Sequence, residues 1–292
     1  TIHTMIGDAE DDLEHFDFIK GKLDHFPIDF ILYPQMFNIR KAINIGSARI
    51  GGCILADGSF GSHTAGLKQS YADEPGNFGT LYQSNEFWND FVEEAHDNNL
   101  QVCVHAIGDA AIEQILTAVE KAQRKCPKDL RHQIIHNELT SDNMIKRMSV
   151  ANVSAVMQPM FDRLWGGSDG FYSKVLGKER ALQTNKLSTI YKSGVLLTGS
   201  SDWYITELDV IKGIHAATVI HNKSERLTPF EAVTIYTKNA EKVAFREKTH
   251  GLIKKGYTAD FTYCNSNIFT EEDIGKVKIL GIVKNGKMIK NG

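Results

Sequence analysis

Seven short apolar runs, centred near residues 2, 31, 53, 103, 134, 155 and 197, are each followed by a polar loop and a stretch with helical spacing. That recurrence constrains the chain more than any other feature. Strands joined through helices cross over and pair in parallel. A (β/α)8 barrel has eight such units. Seven runs, the first of them (Thr1-Ile2-His3-Thr4-Met5-Ile6) already a strand at the chain start, predict an α/β fold. The expected architecture is a (β/α)8 TIM barrel lacking its first strand, as in a piece of a longer protein. A doubly wound open sheet competes. It is disfavoured because no GxGxxG phosphate loop is present and because polar residues recur at the C-terminal ends of successive runs.

Apolar periodicity places the helices. Leu13, Phe16, Ile19 and Leu23 predict one over 9–25, with Asp8 to Asp12 able to cap it. Others are expected at 38–46 (or a turn), 84–98, 109–125, from Ser141 to about Met148, at 179–193, 206–219 and 229–244. Thr228, Pro229 and Glu231 form a capping-box pattern before the last. Residues 63–83 and 161–177 read as long loops. From residue 250 glycines alternate with short β runs at Leu252-Ile253, Asp260 to Cys264 and Ile279 to Val283, and Asn285-Gly286 signals a type I′ hairpin. The expected division is a barrel over 1–249 and the strands of a small β-sandwich over 250–292.

Composition narrows the function classes. With 42% hydrophobic residues and 24% charged, an ordinary folded core is expected. A net charge of −3 gives no footing for nucleic acid or an anionic membrane. Four cysteines (Cys53, Cys103, Cys126, Cys264) form no CxxC, which suits free thiols in a cytoplasmic setting. No apolar run is long enough to span a membrane, and no secretory signal is recognisable.

Chemistry concentrates at strand ends. Gln101-Val102-Cys103-Val104-His105 is a buried strand delivering His105 at its C-terminal end, with Gly108 for a turn and Asp109 at a helix start. The runs near 134 and 197 end on His136 and on Ser200-Ser201-Asp202. Alone, each of these residues reads as a turn or core group. Together, two imidazoles and a carboxylate at the ends of strands in one barrel are good ligands for Zn2+ or Fe2+. Asp202 could then also act as a general base.

The residues resemble those of the amidohydrolase superfamily, specifically the family-3 (YtcJ-like) amidohydrolases. The resemblance rests on ordered motifs. These are Ala56-Asp57-Gly58-Ser59-Phe60-Gly61-Ser62, Val104-His105-Ala106-Ile107-Gly108-Asp109, Arg131-His132-Gln133-Ile134-Ile135-His136, Gln158-Pro159, Ser201-Asp202-Trp203, and Gly251 to Asp260. It implies a (β/α)8 barrel with a small β-sandwich, and a metal-dependent hydrolase of C–N bonds (amide, formamide or cyclic amide) acting on a small molecule. His105, His136 and Asp202 would be metal ligands, and Asp202 the catalytic proton shuttle. The cofactor would be one or two divalent ions, Zn2+ first. A possible homo-oligomer follows from exposed strand edges.

Three departures stand out. The family's strand-one His-x-His has no counterpart. Cys53 occupies the position four before Asp57 where many relatives carry a metal-bridging lysine. Ile135 replaces the usual Glu before His136. A catalytically inactive binding remnant is therefore the alternative. Cys53, Asp57 and Asp109 are candidates for metal contact or for orienting the ligands, and Gln158, Trp203 and Arg180 for touching substrate. Trp165 is a further candidate pocket wall.

Overall fold

The computed structural model describes residues 1–7 and 12–289. All seven expected runs are strands: β1 (Ile2–Ile6), β2 (Phe30–Pro34), β3 (Arg49–Leu55), β4 (Gln101–Ala106), β5 (Gln133–His136), β6 (Ser154–Met157) and β7 (Leu197–Gly199). Every pairing among them is parallel. β1 pairs with β2, and β3 to β7 form a five-stranded sheet in chain order. Among the described residues no ladder joins β2 to β3 or β7 to β1.

Strands β4, β5 and β6 are buried along their whole length, as expected of a parallel sheet covered on both faces. Period-two alternation sends Val102, Val104 and Ile134 outward. There they pack with Ile112, Ile115 and Leu116 of the helix Asp109–Lys125 and with Trp88 and Val92 of Asn85–Asp97. Ile31, Tyr33, Cys103, Ile135 and Val156 point the other way and form a second core inside the curve of the sheet. That inner core is stoppered at the N-terminal ends of the strands. Arg49 donates to Ala244 O, Gln101 to Val243 O, and Arg131 to Lys242 O, so three side chains satisfy the free carbonyls ending the helix Lys238–Val243. The opposite end of the sheet is left for the site.

Helices expected at 84–98, 109–125 and 141–148 appear as Asn85–Asp97, Asp109–Lys125 and Asp142–Val150, the first and last capped by Ser84 and Ser141. Others differ. The 9–25 segment forms a helix only over Glu14–Lys20; of its expected cap, Asp8 and its neighbours through Asp11 lie outside the described residues. The 179–193 segment breaks into Lys178–Ala181 and Leu187–Lys192 because Asn185, at φ 53°, is held by Glu138: its N–H bonds to Glu138 O at 2.9 Å. The 229–244 helix has its capping box but breaks at Thr237 (φ −124°, ψ −93°). The 161–177 loop contains the short helices Pro159–Trp165 and Phe171–Leu176, separated by a glycine-rich turn.

Residues 261–289 form one antiparallel sheet, β8 (Phe261–Cys264), β9 (Ile279–Lys284) and β10 (Lys287–Ile289). Asn285 and Gly286 take the positive φ values, 52° and 74°, that a type I′ turn requires. Leu252-Ile253 is not a strand; Ile253 is exposed. Ile274 and Val277 enter the main core, so this sheet is anchored to the larger body through shared side chains. No helix among the described residues is long and apolar enough to cross a membrane.

Candidate metal centre

His105 closes β4 on the inner face. Its Nε2 lies 3.0 Å from Gly58 O and 3.4 Å from Asp57 Oδ1. Both partners only accept, so Nε2 carries a proton and Nδ1 is the one ring nitrogen that can serve as a ligand. His136 ends the neighbouring strand. Ile135 faces inward, so strict alternation would turn His136 away; instead its φ of 72° rotates it back to the same side. His136 Nδ1 lies 2.9 Å from Gln158 Oε1, and Gln158 Nε2 donates to Ser200 Oγ at 2.7 Å. The amide therefore presents its oxygen to the ring, leaving His136 Nε2 free. The two imidazoles meet edge to face at 4.5 Å, and Phe161 stacks on His136, with Trp165 against Phe161 in turn.

The third residue is Cys53. One donor atom each from Cys53, His105 and His136 lies within 4.8 Å of the other two. A bulge puts it there. The chain takes four steps from Ile50 to Ile54 where β4 takes two from Val102 to Val104. Gly51 and Gly52 absorb the excess at φ 92° and 59°. A Cβ on Gly51 would stand 2.3 Å from Cys103 O, and one on Gly52 2.9 Å from Gln35 Cα, so only glycine fits either position. Among the described residues Asp202 is not part of this group. β7 stops at Gly199, and Asp202 sits three residues beyond in a turn at φ 53°, where the charge of His105 works against the effect of burial on its carboxyl.

The electrostatics are uneven. Burial lowers the affinity of both imidazoles for a proton. At His105 the Asp57 carboxylate and Cys53 thiol reverse that and raise the pKa to about 10. At His136 burial, reinforced by the neighbouring His105, holds the pKa well below the usual range. Burial raises that of Asp202.

Asp57 is fully buried. Its Oδ2 accepts from Gly66 N and Gly108 N, both at 2.8 Å, and its Oδ1 from Ile107 N at 3.0 Å. It fixes the turn after His105 as well as contacting the ring. Asp109 accepts from Lys68 N at 2.9 Å, while Gly108 occupies the cap position; Asp109 thus fastens the 63–83 loop. Arg180 clamps the same loop, donating to Gln69 O, Ser70 O and Leu176 O. Trp203 is 69% exposed at the rim. His132 lies at the opposite end of the sheet, bonded to His96.

Glu138 stands outside the motifs that mark the site in the sequence. It is buried two residues beyond His136, bonded by Tyr172 and Asn185, and burial raises its pKa to about 7. The signal available was the polar pair Asn137-Glu138 directly after a strand-end histidine. Both are buried.

Parallel α/β architecture with a Cys/His/His cluster toward the C-terminal ends of the strands defines an α/β protein with a largely buried, metal-compatible centre. The chain belongs to the amidohydrolase family: the model of that family matches residues 42–289. It is 32% identical over 253 residues to the amidohydrolase-type protein YtcJ of Bacillus subtilis (strain 168), covering 81% of this chain and 46% of YtcJ. It is 31% identical over 225 residues to Protein LONG AFTER FAR-RED 3 of Arabidopsis thaliana, covering 74% and 38% respectively. The chain thus spans about half or less of the length of the curated relatives it matches. A solved metal-dependent hydrolase from Pyrococcus furiosus superposes with a TM-score of 0.73 at 25% identity, covering 88% of this chain and 54% of that one. One from Pyrococcus horikoshii OT3 superposes at 0.77 and 21% identity, covering 94% and 57%.

Proposed function

We propose that this chain carries the metal-binding and proton-transfer residues of a hydrolase acting on C–N bonds of a small molecule, of the amide, formamide or cyclic-amide type. One observation carries the reading. His105 and His136 meet at adjacent strand ends, each with one nitrogen tied to an oxygen acceptor. Fixing the outer nitrogen by a carbonyl is how metal-binding imidazoles are oriented. The binding-remnant alternative loses ground because both orienting partnerships are intact. The similarity to the solved metal-dependent hydrolase from Pyrococcus furiosus supports the same reading.

His105 and His136 would hold the ion, one or two divalent cations with Zn2+ the first candidate. When bound, such an ion supplies Lewis acidity, polarising a carbonyl and making water a nucleophile near neutral pH. Asp202, beside the cluster, takes the proton from the attacking water and delivers it to the departing nitrogen. Gln158 and Ser200 hold His136 in register, and Phe161 with Trp165 forms an apolar wall on the far side of its ring. The four thiols are all free, in keeping with a cytoplasmic setting. Strands β1 and β7 offer edges on which a second copy could associate.

The test is amine release from a panel of N-formyl amines, N-acyl amino acids and cyclic amides, with zinc added or chelated. Turnover should require the metal, and Asp202→Asn should lower kcat by roughly 10²–10⁴-fold. Turnover unaffected by chelation, or equal rates for the variant and the parent, refutes the assignment.

A further inference from the structure

We infer that Glu138 and Tyr172 are positioning residues: the hydrogen bond between them pins an arc of aromatic rings beside the two histidines, and the arc, through Trp165, favours substrates with an apolar group next to the scissile bond. The substrate preference rests on the hydrolase reading above. The placement of the rings does not.

The arc is continuous. Phe161 lies nearly parallel to His136, with ring centroids 5.8 Å apart and 17° between the planes. Trp165 meets Phe161 at 4.9 Å, Tyr172 lies 6.3 Å from Trp165, and Phe60 packs edge-on against Tyr172 at 5.1 Å. Phe60 belongs to the turn whose Gly58 O accepts from His105 Nε2. The rings therefore run from one histidine to the segment that holds the other, with Tyr172 joining the two halves. Phe60, Phe161 and Tyr172 are buried. Trp165 is only partly covered, so it carries the open apolar surface of the arc.

Glu138 ties this arc to the strand end. It directly follows the left-handed pair His136-Asn137, at φ 72° and 51°, and its own carbonyl accepts from Asn185 N at 2.9 Å. Its backbone is thus fixed to the turn that carries His136. Its side chain accepts from the Tyr172 hydroxyl and, at 3.4 Å, from Asn185 Nδ2. A carboxyl group shut off from water is tolerated only where such partners are present, so this bond is costly to leave unmade. Removing the hydroxyl strands the carboxyl group and releases the ring at the middle of the arc, and Trp165 with it. An aromatic surface beside a polar centre holds an apolar substituent by burial and ring contact.

The first readout needs no activity. Nitrogen-15 labelling gives three indole N–H resonances, from Trp88, Trp165 and Trp203, and Trp165→Phe identifies its own. Tyr172→Phe, which removes only a hydroxyl, should move the Trp165 resonance and leave the other two in place. The second readout is selectivity with zinc present. Two matched pairs are used: the formamides of ethylamine and 2-phenylethylamine, and the N-acetyl and N-phenylacetyl forms of glycine. In the pair that turns over, the phenyl member should have the higher kcat/KM, and Tyr172→Phe should cut that ratio about tenfold, the discrimination of one apolar contact. Glu138→Ala should match it. Glu138→Gln, whose amide oxygen still accepts from Tyr172, should keep most of the ratio. Tyr71→Phe removes another hydroxyl of the same apolar cluster, one bonded to Ala65 O at 3.1 Å, and should leave the ratio unchanged. Partial unfolding lowers both rates together, so a fall in Tyr172→Phe at constant ratio overturns the selective role. An unmoved Trp165 resonance in Tyr172→Phe overturns the positioning role. A parent chain that hydrolyses neither pair and no cyclic amide refutes the hydrolase reading and the substrate preference with it; the Trp165 resonance then decides the positioning role by itself.

Discussion

Replacing Asp57 by asparagine keeps the shape of the side chain and turns one of its two acceptor oxygens into a donor. The carboxylate accepts three backbone N–H groups, from Gly66, Ile107 and Gly108, and is shut off from water. In the more favourable orientation, the asparagine oxygen keeps the two bonds at 2.8 Å and the amide nitrogen faces Ile107 N–H. One charge-assisted bond worth about 1.5–3 kcal/mol disappears, and a buried donor is stranded at about 1–3 kcal/mol. The two remaining bonds lose their ionic component. The total loss should be about 3–5 kcal/mol, a large fraction of the stability of an ordinary domain. The assay is urea unfolding of Asp57→Asn beside the parent, with amide hydrogen exchange at Gly66, Ile107 and Gly108. The unfolding midpoint should drop and all three amides should exchange faster. Metal affinity should fall by roughly 10–100-fold, because the loop that orients His105 is loosened. A stability loss below about 1 kcal/mol with unchanged exchange at the three amides would show that this carboxylate does not hold the turn.

Further outcomes follow from other parts of the fold. Gly51→Ala should destabilise by about 2–4 kcal/mol, since the new methyl meets Cys103 O at 2.3 Å and the backbone has φ 92°; an unfolding midpoint equal to the parent's refutes the bulge as drawn. Arg180→Lys should leave Gln69 O and Ser70 O underbonded, raising protease cleavage within residues 63–83, because an ammonium cannot span the three carbonyls that the guanidinium bridges. At the base of the sheet, Val102 N–H donates to His132 Nδ1 at 2.9 Å, His132 Nε2 meets His96 Nδ1 at 2.9 Å, and His96 Nε2 meets Cys126 O at 2.7 Å. This directed chain needs both rings neutral. Burial, with His96 and Lys128 nearby, lowers the His132 pKa to about 3. Unfolded chains protonate this ring below about 6.5 and the folded protein does not until about 3, so its contribution falls as pH drops through that window, by up to about 1.4 kcal/mol per unit. Denaturation midpoints from pH 7 to 4 should fall more steeply for the parent than for His132→Gln; parallel slopes contradict the account.

The chain's own residues determined its class. Parallel pairing was legible because fully buried runs such as Val102–Val104, separated by amphipathic helices, have few other ways to satisfy both faces. The positions of His105 and His136 at strand ends were legible for the same reason. The helix break at Asn185 was not, because local periodicity cannot register a distant partner such as Glu138. Tertiary structure alone decided which residue joins the two imidazoles. Strand periodicity turns one face inward and cannot foresee the bulge at Gly51-Gly52 that re-aims Cys53, nor the left-handed backbone at His136 that returns it to the shared space. Asp202 shows the converse: sequence set it at the end of a strand, and the three-residue step beyond Gly199 held it outside the Cys53–His105–His136 group. A strand's pattern specifies faces, whereas a site depends on distances between atoms on different strands, and those are fixed only when the strands pack.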